Sequence, residues 1–145
     1  MVLELSLKEY KLISYAILEQ LPNYYGYPHR KAGILPRLHF RKGKHPNIRG
    51  EFVEYIINEK NRYKKDIPRI ILYYNNTDSY FELIRTISHE YIHYITLYNI
   101  ALNEDYDRQN DKKGYDGNKY EKMAYKNENK YSRLIWKKIK TRLAL

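Results

Sequence analysis

The stretch TISHEYIHYI (residues 86–95) holds two histidines four residues apart, His89 and His93, with Glu90 directly after the first. On a helix, residues i and i+4 share a face, so both imidazoles can turn toward one metal ion. Glu90 sits one step round from His89 and can reach a water held by that metal. Zinc lowers the pKa of a bound water toward neutrality, and a neighbouring carboxylate can take its proton. The spacing therefore follows from the needs of a hydrolytic metal site. The plainer alternative is a pair of hydrogen-bonded histidines on the surface of an amphipathic helix. A polar His-Glu-His placed among Ile87, Tyr91, Ile92 and Ile95 argues against it.

The segment around the motif has its own start signal. Ser79-Tyr80-Phe81-Glu82 fits a capping box and opens a helix to about residue 100. Phe81, Ile84, Tyr91, Ile95 and Tyr98 form its expected buried stripe. Upstream, Ile70-Ile71-Leu72-Tyr73-Tyr74 is a continuous apolar run, as an interior strand would be. Glu51 to Ile57 reads as a second strand. Ile34 to Arg41 reads as a third, with Pro36 suiting an edge or a bulge. Residues 42–50 read as a basic turn and residues 58–66 as a polar one.

Nearer the N-terminus, Ser6-Leu7-Lys8-Glu9 is another capping box. Leu7, Tyr10, Ile13, Ile17 and Leu21 then recur at helical spacing until Pro22, followed by a loop over 22–33. Beyond the motif, residues 103–118 read as a loop carrying Asp105, Asp107, Asp111 and Asp116, and a last helix runs over about 119–142. No internal repeat and no domain boundary stands out. The expectation is a single α+β domain over residues 1–145. It has an N-terminal helix, a small, mostly antiparallel sheet of about three strands, the motif helix and a C-terminal ligand-bearing helix.

A third protein ligand is required. The chain has no cysteine, so disulfides and thiolate ligands are both excluded. No histidine follows His93, and the longer pattern H-E-x-x-H-x-x-G-x-x-H fails at Thr96 and Asn99. The remaining donors are His29, His39 and His45 upstream, or a carboxylate downstream. Glu121, Ala124, Glu128, Tyr131 and Ile135 fall along one face of the last helix, which aims two carboxylates at the interior. A buried carboxylate is costly unless it is paired or bound to metal. Ala124 is small enough to let this helix approach the motif helix. Glu121 is the preferred ligand and Glu128 the reserve; pairing of both with Lys122, Lys126 or Arg133 on a solvated face is the alternative.

Together, RTISHEYIHYI and YEKMAY on a later helix resemble the gluzincin zinc peptidases, with the small ImmA/IrrE-type intracellular metallopeptidases closest in size. The resemblance covers about residues 69–128. It implies a compact zincin-like domain and a zinc-dependent endopeptidase activity. It also implies one zinc ion held by His89, His93 and Glu121, with Glu90 as general base, and a substrate chain lying along the 51–57 strand. Ile92 stands where many such enzymes have Gly, and the 28 residues from His93 to Glu121 exceed the thermolysin spacing. A group that stabilises the oxyanion is expected as well. Tyr115, Tyr120 and Tyr125 are the candidates, and nothing in the sequence chooses among them.

Composition sets the remaining bounds. Tyrosine supplies 18 of the 145 residues, so the core should be lined by rings with polar tips. The start of the chain lacks the pattern of a signal peptide, and no stretch has the apolar length of a membrane span, so an intracellular, cytoplasmic setting is expected. The net charge of +10 is compatible with nucleic acid or an acidic partner. Its densest run is Arg41-Lys42-Gly43-Lys44-His45. A basic nucleic-acid-binding or regulatory module that keeps the metal site is therefore the competing reading, including one that acts on DNA-bound proteins.

Overall fold

The computed structural model describes residues 5–27, 35–57, 63–77, 79–97 and 119–145. Among them run α1 (Leu7–Tyr25), β1 (Arg37–Arg41), β2 (Gly50–Ile57), β3 (Tyr63–Tyr73), a 3-10 turn (Tyr74–Asn76), α2 (Tyr80–Leu97), α3 (Lys119–Asn127) and α4 (Ser132–Arg142). The class is mixed α+β, with four α-helices and a three-stranded sheet among the described residues. No helix among these residues is long and apolar enough to cross a membrane. The expected 103–118 loop, the strand start at Ile34, and His29, Tyr98 and Tyr115 lie outside the described residues.

β3 takes the centre of the sheet, in the order β1-β3-β2. Ile70 and Leu72 are fully buried, which is why the most apolar strand needs a neighbour on each side. The expected mostly antiparallel sheet is instead mixed: β2 pairs antiparallel with β3, while β1 pairs parallel with it. The chain reverses into β2 and again into β3, and β3 then inserts beside β1 pointing the same way. β3 also begins at Tyr63, inside the expected 58–66 turn, and contains Pro68. Proline has no N–H to give the ladder. Pairing with β1 accordingly starts at Arg69, and the β2 register shifts between Val53 and Tyr55. Pro68 is tolerated because it sits at this irregularity.

α1 opens on a complete capping box between Ser6 and Glu9. Tyr10, Ile13, Ile17 and Leu21 are buried as the spacing predicts, but Leu7, in the first turn, is exposed. Pro22 does not end the helix, which runs on to Tyr25. A proline inside a helix costs about 3 kcal/mol or more. The last turn offsets this by packing: Tyr24 stacks on Tyr131, Tyr25 meets the same ring edge-on, and Tyr25 Oη donates to the Asn127 carbonyl at 2.7 Å. Gly26, at φ 75°, then breaks the helix in a conformation that suits glycine.

α2 is the hub. It touches α1, α3, α4, β2 and β3. Its buried stripe is Leu83, Ile84, Ile87, Tyr91 and Tyr94. Phe81, expected on that stripe, is exposed and tilted against Trp136, and Ile95 is half-buried. Buried tyrosines tie the hub down. Tyr91 Oη donates to the Gly26 carbonyl at 2.6 Å, and the Tyr10 hydroxyl lies 3.0 Å from Thr77 Oγ1.

The expected helix over 119–142 is two helices with a turn over 128–131. Asparagines make the break, since short amides bond locally and compete with helix hydrogen bonds. Asn127 Nδ2 donates to the Met123 carbonyl, and Asn129 Oδ1 accepts from Ser132 Oγ at the start of α4.

Burial pushes the phenols of Tyr10, Tyr25 and Tyr94 up to about 12 from 10.0. The fold thus favours their neutral forms. This contribution to stability is complete below pH 10 and is lost as pH rises toward 12, because the unfolded chain ionises first. An alkaline titration should show tyrosinate absorbance rising together with loss of helical circular dichroism in that window. Early ionisation with the helices intact would contradict this packing.

Candidate metal centre

The site is built on two helices. α2 places His89 and His93 one turn apart, with their Nε2 atoms 3.0 Å from each other. α3 brings in Glu121, whose Oε1 lies 3.2 Å from His93 Nε2 and whose Oε2 lies 3.6 Å from His89 Nε2. Ala124, one turn on from Glu121, is fully buried and allows the close approach of the two helices. Glu121 itself is only 2 % exposed.

All three donors lie within 4.8 Å of one another. A tetrahedral ion bound at 2.0–2.1 Å separates its ligands by about 3.3 Å. The two imidazole nitrogens are 3.0 Å apart, and the two Glu121 oxygens lie near them, Oε1 at 3.2 Å from His93 and Oε2 at 3.6 Å from His89, so the donors are spaced on the scale such an ion needs. Two imidazoles and a carboxylate are also a donor set that suits a divalent ion of intermediate softness. The buried group of His89, His93 and Glu121 could therefore hold a metal ion. Among the other histidines the sequence offered, His39 lies in β1 and His45 in the turn after it; neither belongs to this group.

Glu128 takes a different place from Glu121. Its Oε2 lies 2.8 Å from His89 Nδ1, the opposite edge of the ring. It stands in the turn that ends α3, so the break between α3 and α4 aims it there. A carboxylate on Nδ1 fixes the ring orientation and leaves Nε2 to face the metal. Burial works against the His89 cation, but the hydrogen bonds to Glu121 and Glu128 and the charge of Glu90 outweigh it, raising the pKa to about 9. These carboxylates thus favour positive charge at the ring, and a metal ion would take the place of a proton.

Glu90 is almost fully buried beside the donors. Burial raises its pKa, the neighbouring His93 and His89 lower it, and Glu121 and Glu51 raise it again; the net direction is upward. A carboxyl held above its usual range is a better proton acceptor. Its surroundings open into a cleft of about 450 Å³ lined by Asn47, Ile48, Arg49, Gly50, Arg85 and Tyr125, among others. Gly50 begins β2, an outer strand of the described sheet. A Cβ there would stand 2.8 Å from Thr86 Cγ2 and 3.6 Å from Glu90 Cγ, so only glycine lets the strand pass this close to α2.

Of the tyrosines considered for an oxyanion, Tyr125 lines the cleft, with its ring 4.7 Å from that of His89. Tyr115 and the side chain of Tyr120 are outside the described residues. Sequence reasoning did not find Arg85, which lines the cleft with its Nε 3.8 Å from Glu128 Oε1. Its signal was present, because Arg85 is four residues before His89 on the same helix face. It also missed Arg49, which pairs with Glu82. That pairing explains why the Ser79 capping box is half-formed: Ser79 Oγ accepts from Glu82 N, while the Glu82 carboxylate turns to the arginine.

No protein-family model matches the chain, and no curated protein or solved structure matches it.

Glu128→Gln should keep the fold and weaken metal binding roughly 10- to 100-fold, as loss of an orienting carboxylate does. Competition against a chelator of known affinity measures this. An unchanged affinity would show that the Glu128–His89 contact does not position the ligand.

Proposed function

We propose that the protein is a zinc-dependent endopeptidase of the gluzincin type, built on a zincin-like domain. The observation that carries the reading is the placement of Glu90. A metal site that only braces a fold has no use for a buried carboxylate next to a ligand and open to a cleft. His89, His93 and Glu121 would hold the metal, and two imidazoles favour zinc over calcium or magnesium. Bound zinc supplies a Lewis acid that polarises a carbonyl and acidifies water.

The rest of the chemistry belongs to the chain. Glu90 takes a proton from the attacking water and returns it to the leaving amine as the C–N bond breaks. Glu128 holds the His89 ring in place through Nδ1. The polypeptide runs along the outer edge of β2, whose first residue, Gly50, lines the cleft together with Asn47, Ile48 and Arg49 just before it. Tyr125 and Arg85, which also line the cleft, serve as donors toward a developing oxyanion.

Glu90→Gln tests this directly. The variant should retain its metal and lose roughly 100- to 10,000-fold in peptide cleavage. Cleavage equal to wild type, or no cleavage of a diverse peptide mixture by zinc-loaded wild type, would overturn the proposal.

A further inference from the structure

A second pocket of about 270 Å³ adjoins the cleft. Arg41, Lys42, Lys44 and His45 line it together with Ile48 and Glu51. Ile48 also lines the cleft, so the two spaces share a wall. This is the densest basic run of the sequence, and the metal site leaves it unused.

The loop that carries the cations is firmly held. Asn75 Oδ1 accepts from Gly43 N at 2.6 Å, and Asn75 Nδ2 donates back to the Gly43 carbonyl at 3.1 Å. Asn76 Nδ2 donates to the carbonyls of His45 and Ile48, both at 2.7 Å. A Cβ on Gly43 would stand 2.6 Å from Asn76 Nδ2 and 2.9 Å from Tyr73 Cβ, so the loop is seated against these side chains without spare room. Its cations are therefore presented on a formed surface, which lowers the ordering cost of binding.

The charges are also unevenly matched. In the cleft, Arg49 pairs with Glu82 and Arg85 faces Glu128. Among the described residues, no carboxylate forms an ion pair with Arg41, Lys42 or Lys44. Among the described residues the one carboxylate lining the second pocket, Glu51, accepts a hydrogen bond from Tyr73 Oη at 3.1 Å. The pocket thus keeps an excess of positive charge.

We propose that this pocket is a subsite for an acidic side chain of the polypeptide in the cleft. The preferred chains then carry Asp or Glu on one flank of the segment that lies over His89, His93 and Glu121. The inference rests on the cleft taking a peptide. A single carboxylate fits a concave pocket that also holds Ile48 and Glu51. A run of nucleic-acid phosphates would press against the Glu51 charge.

Zinc-loaded, full-length protein carrying Glu90→Gln is the reagent, so that bound peptides survive. Labelled peptides identical except for a Glu-Glu, Gln-Gln or Lys-Lys pair on either flank are compared by fluorescence anisotropy. The Glu-Glu peptide should bind roughly fivefold more tightly than its Gln-Gln counterpart on one flank only. Adding Lys42→Glu and Lys44→Glu should abolish that preference and transfer it to Lys-Lys. These residues are exposed, and circular dichroism checks that the fold is kept. Equal binding of the Glu and Gln peptides, or a preference that survives charge reversal, overturns the subsite. So does displacement of the acidic peptide by a single-stranded oligonucleotide at lower concentration than by unlabelled peptide, which would assign the loop to nucleic acid. Binding is read without cleavage. Acid preference without cleavage by the wild type would leave the subsite standing and remove the peptidase reading, and cleavage without acid preference would do the reverse.

Discussion

The rest of the structure depends on one buried carboxylate. Glu121 sits at 2 % exposure against two imidazole nitrogens. Removing a charge from water costs several kcal/mol, and only a close positive partner recovers it. Either a protonated imidazole or a metal ion provides that partner, so α2 and α3 must stay in contact for the site to exist. Ala124 permits the contact, and the turn after α3 sends Glu128 round to the far side of His89. Two carboxylates from one stretch of chain thus grip the same ring from opposite edges.

That arrangement needs α2 to be held rigidly, and the packing does this. The helix touches every other described helix and two of the three strands. Tyrosines fasten it through their tips while their rings fill the core: Tyr91 reaches the end of α1, and Tyr10 reaches the lead-in to α2. A tyrosine-rich chain can therefore have an interior that is both apolar and hydrogen-bonded. The same rigidity brings the glycine start of β2 against Thr86 and Glu90, so one helix carries the two histidine donors, Glu90 and a wall of the cleft.

Much of this was legible in the sequence because it rests on local periodicity. The capping box at Ser6, the Ser79 cap on the Glu82 amide, the apolar run at Ile70, and the i, i+4 histidines all act locally. The juxtaposition of Glu121 with them could be read from a helix face that mixes carboxylates with apolar residues. What escaped was set by contacts between elements. Pro22 reads as a stop, yet the Tyr24 and Tyr25 contacts with Tyr131 carry the helix past it. Pro68 looks wrong for a central strand until the register shift beside it is seen. The parallel β1–β3 pairing follows from which strand inserts where, and no local pattern encodes that choice. Glu128 looked like a spare ligand because its distance from Glu121 suits one continuous helix. The asparagine break changes its direction and hence its partner.

The central claim is that His89, His93 and Glu121 form one metal site. Elemental analysis of purified protein after exposure to zinc and removal of the excess measures it most directly, with wild type beside Glu121→Gln. About one zinc ion per wild-type chain and almost none in the variant is the expected result. A wild-type protein that retains no metal, or a variant that retains as much as the wild type, would contradict it.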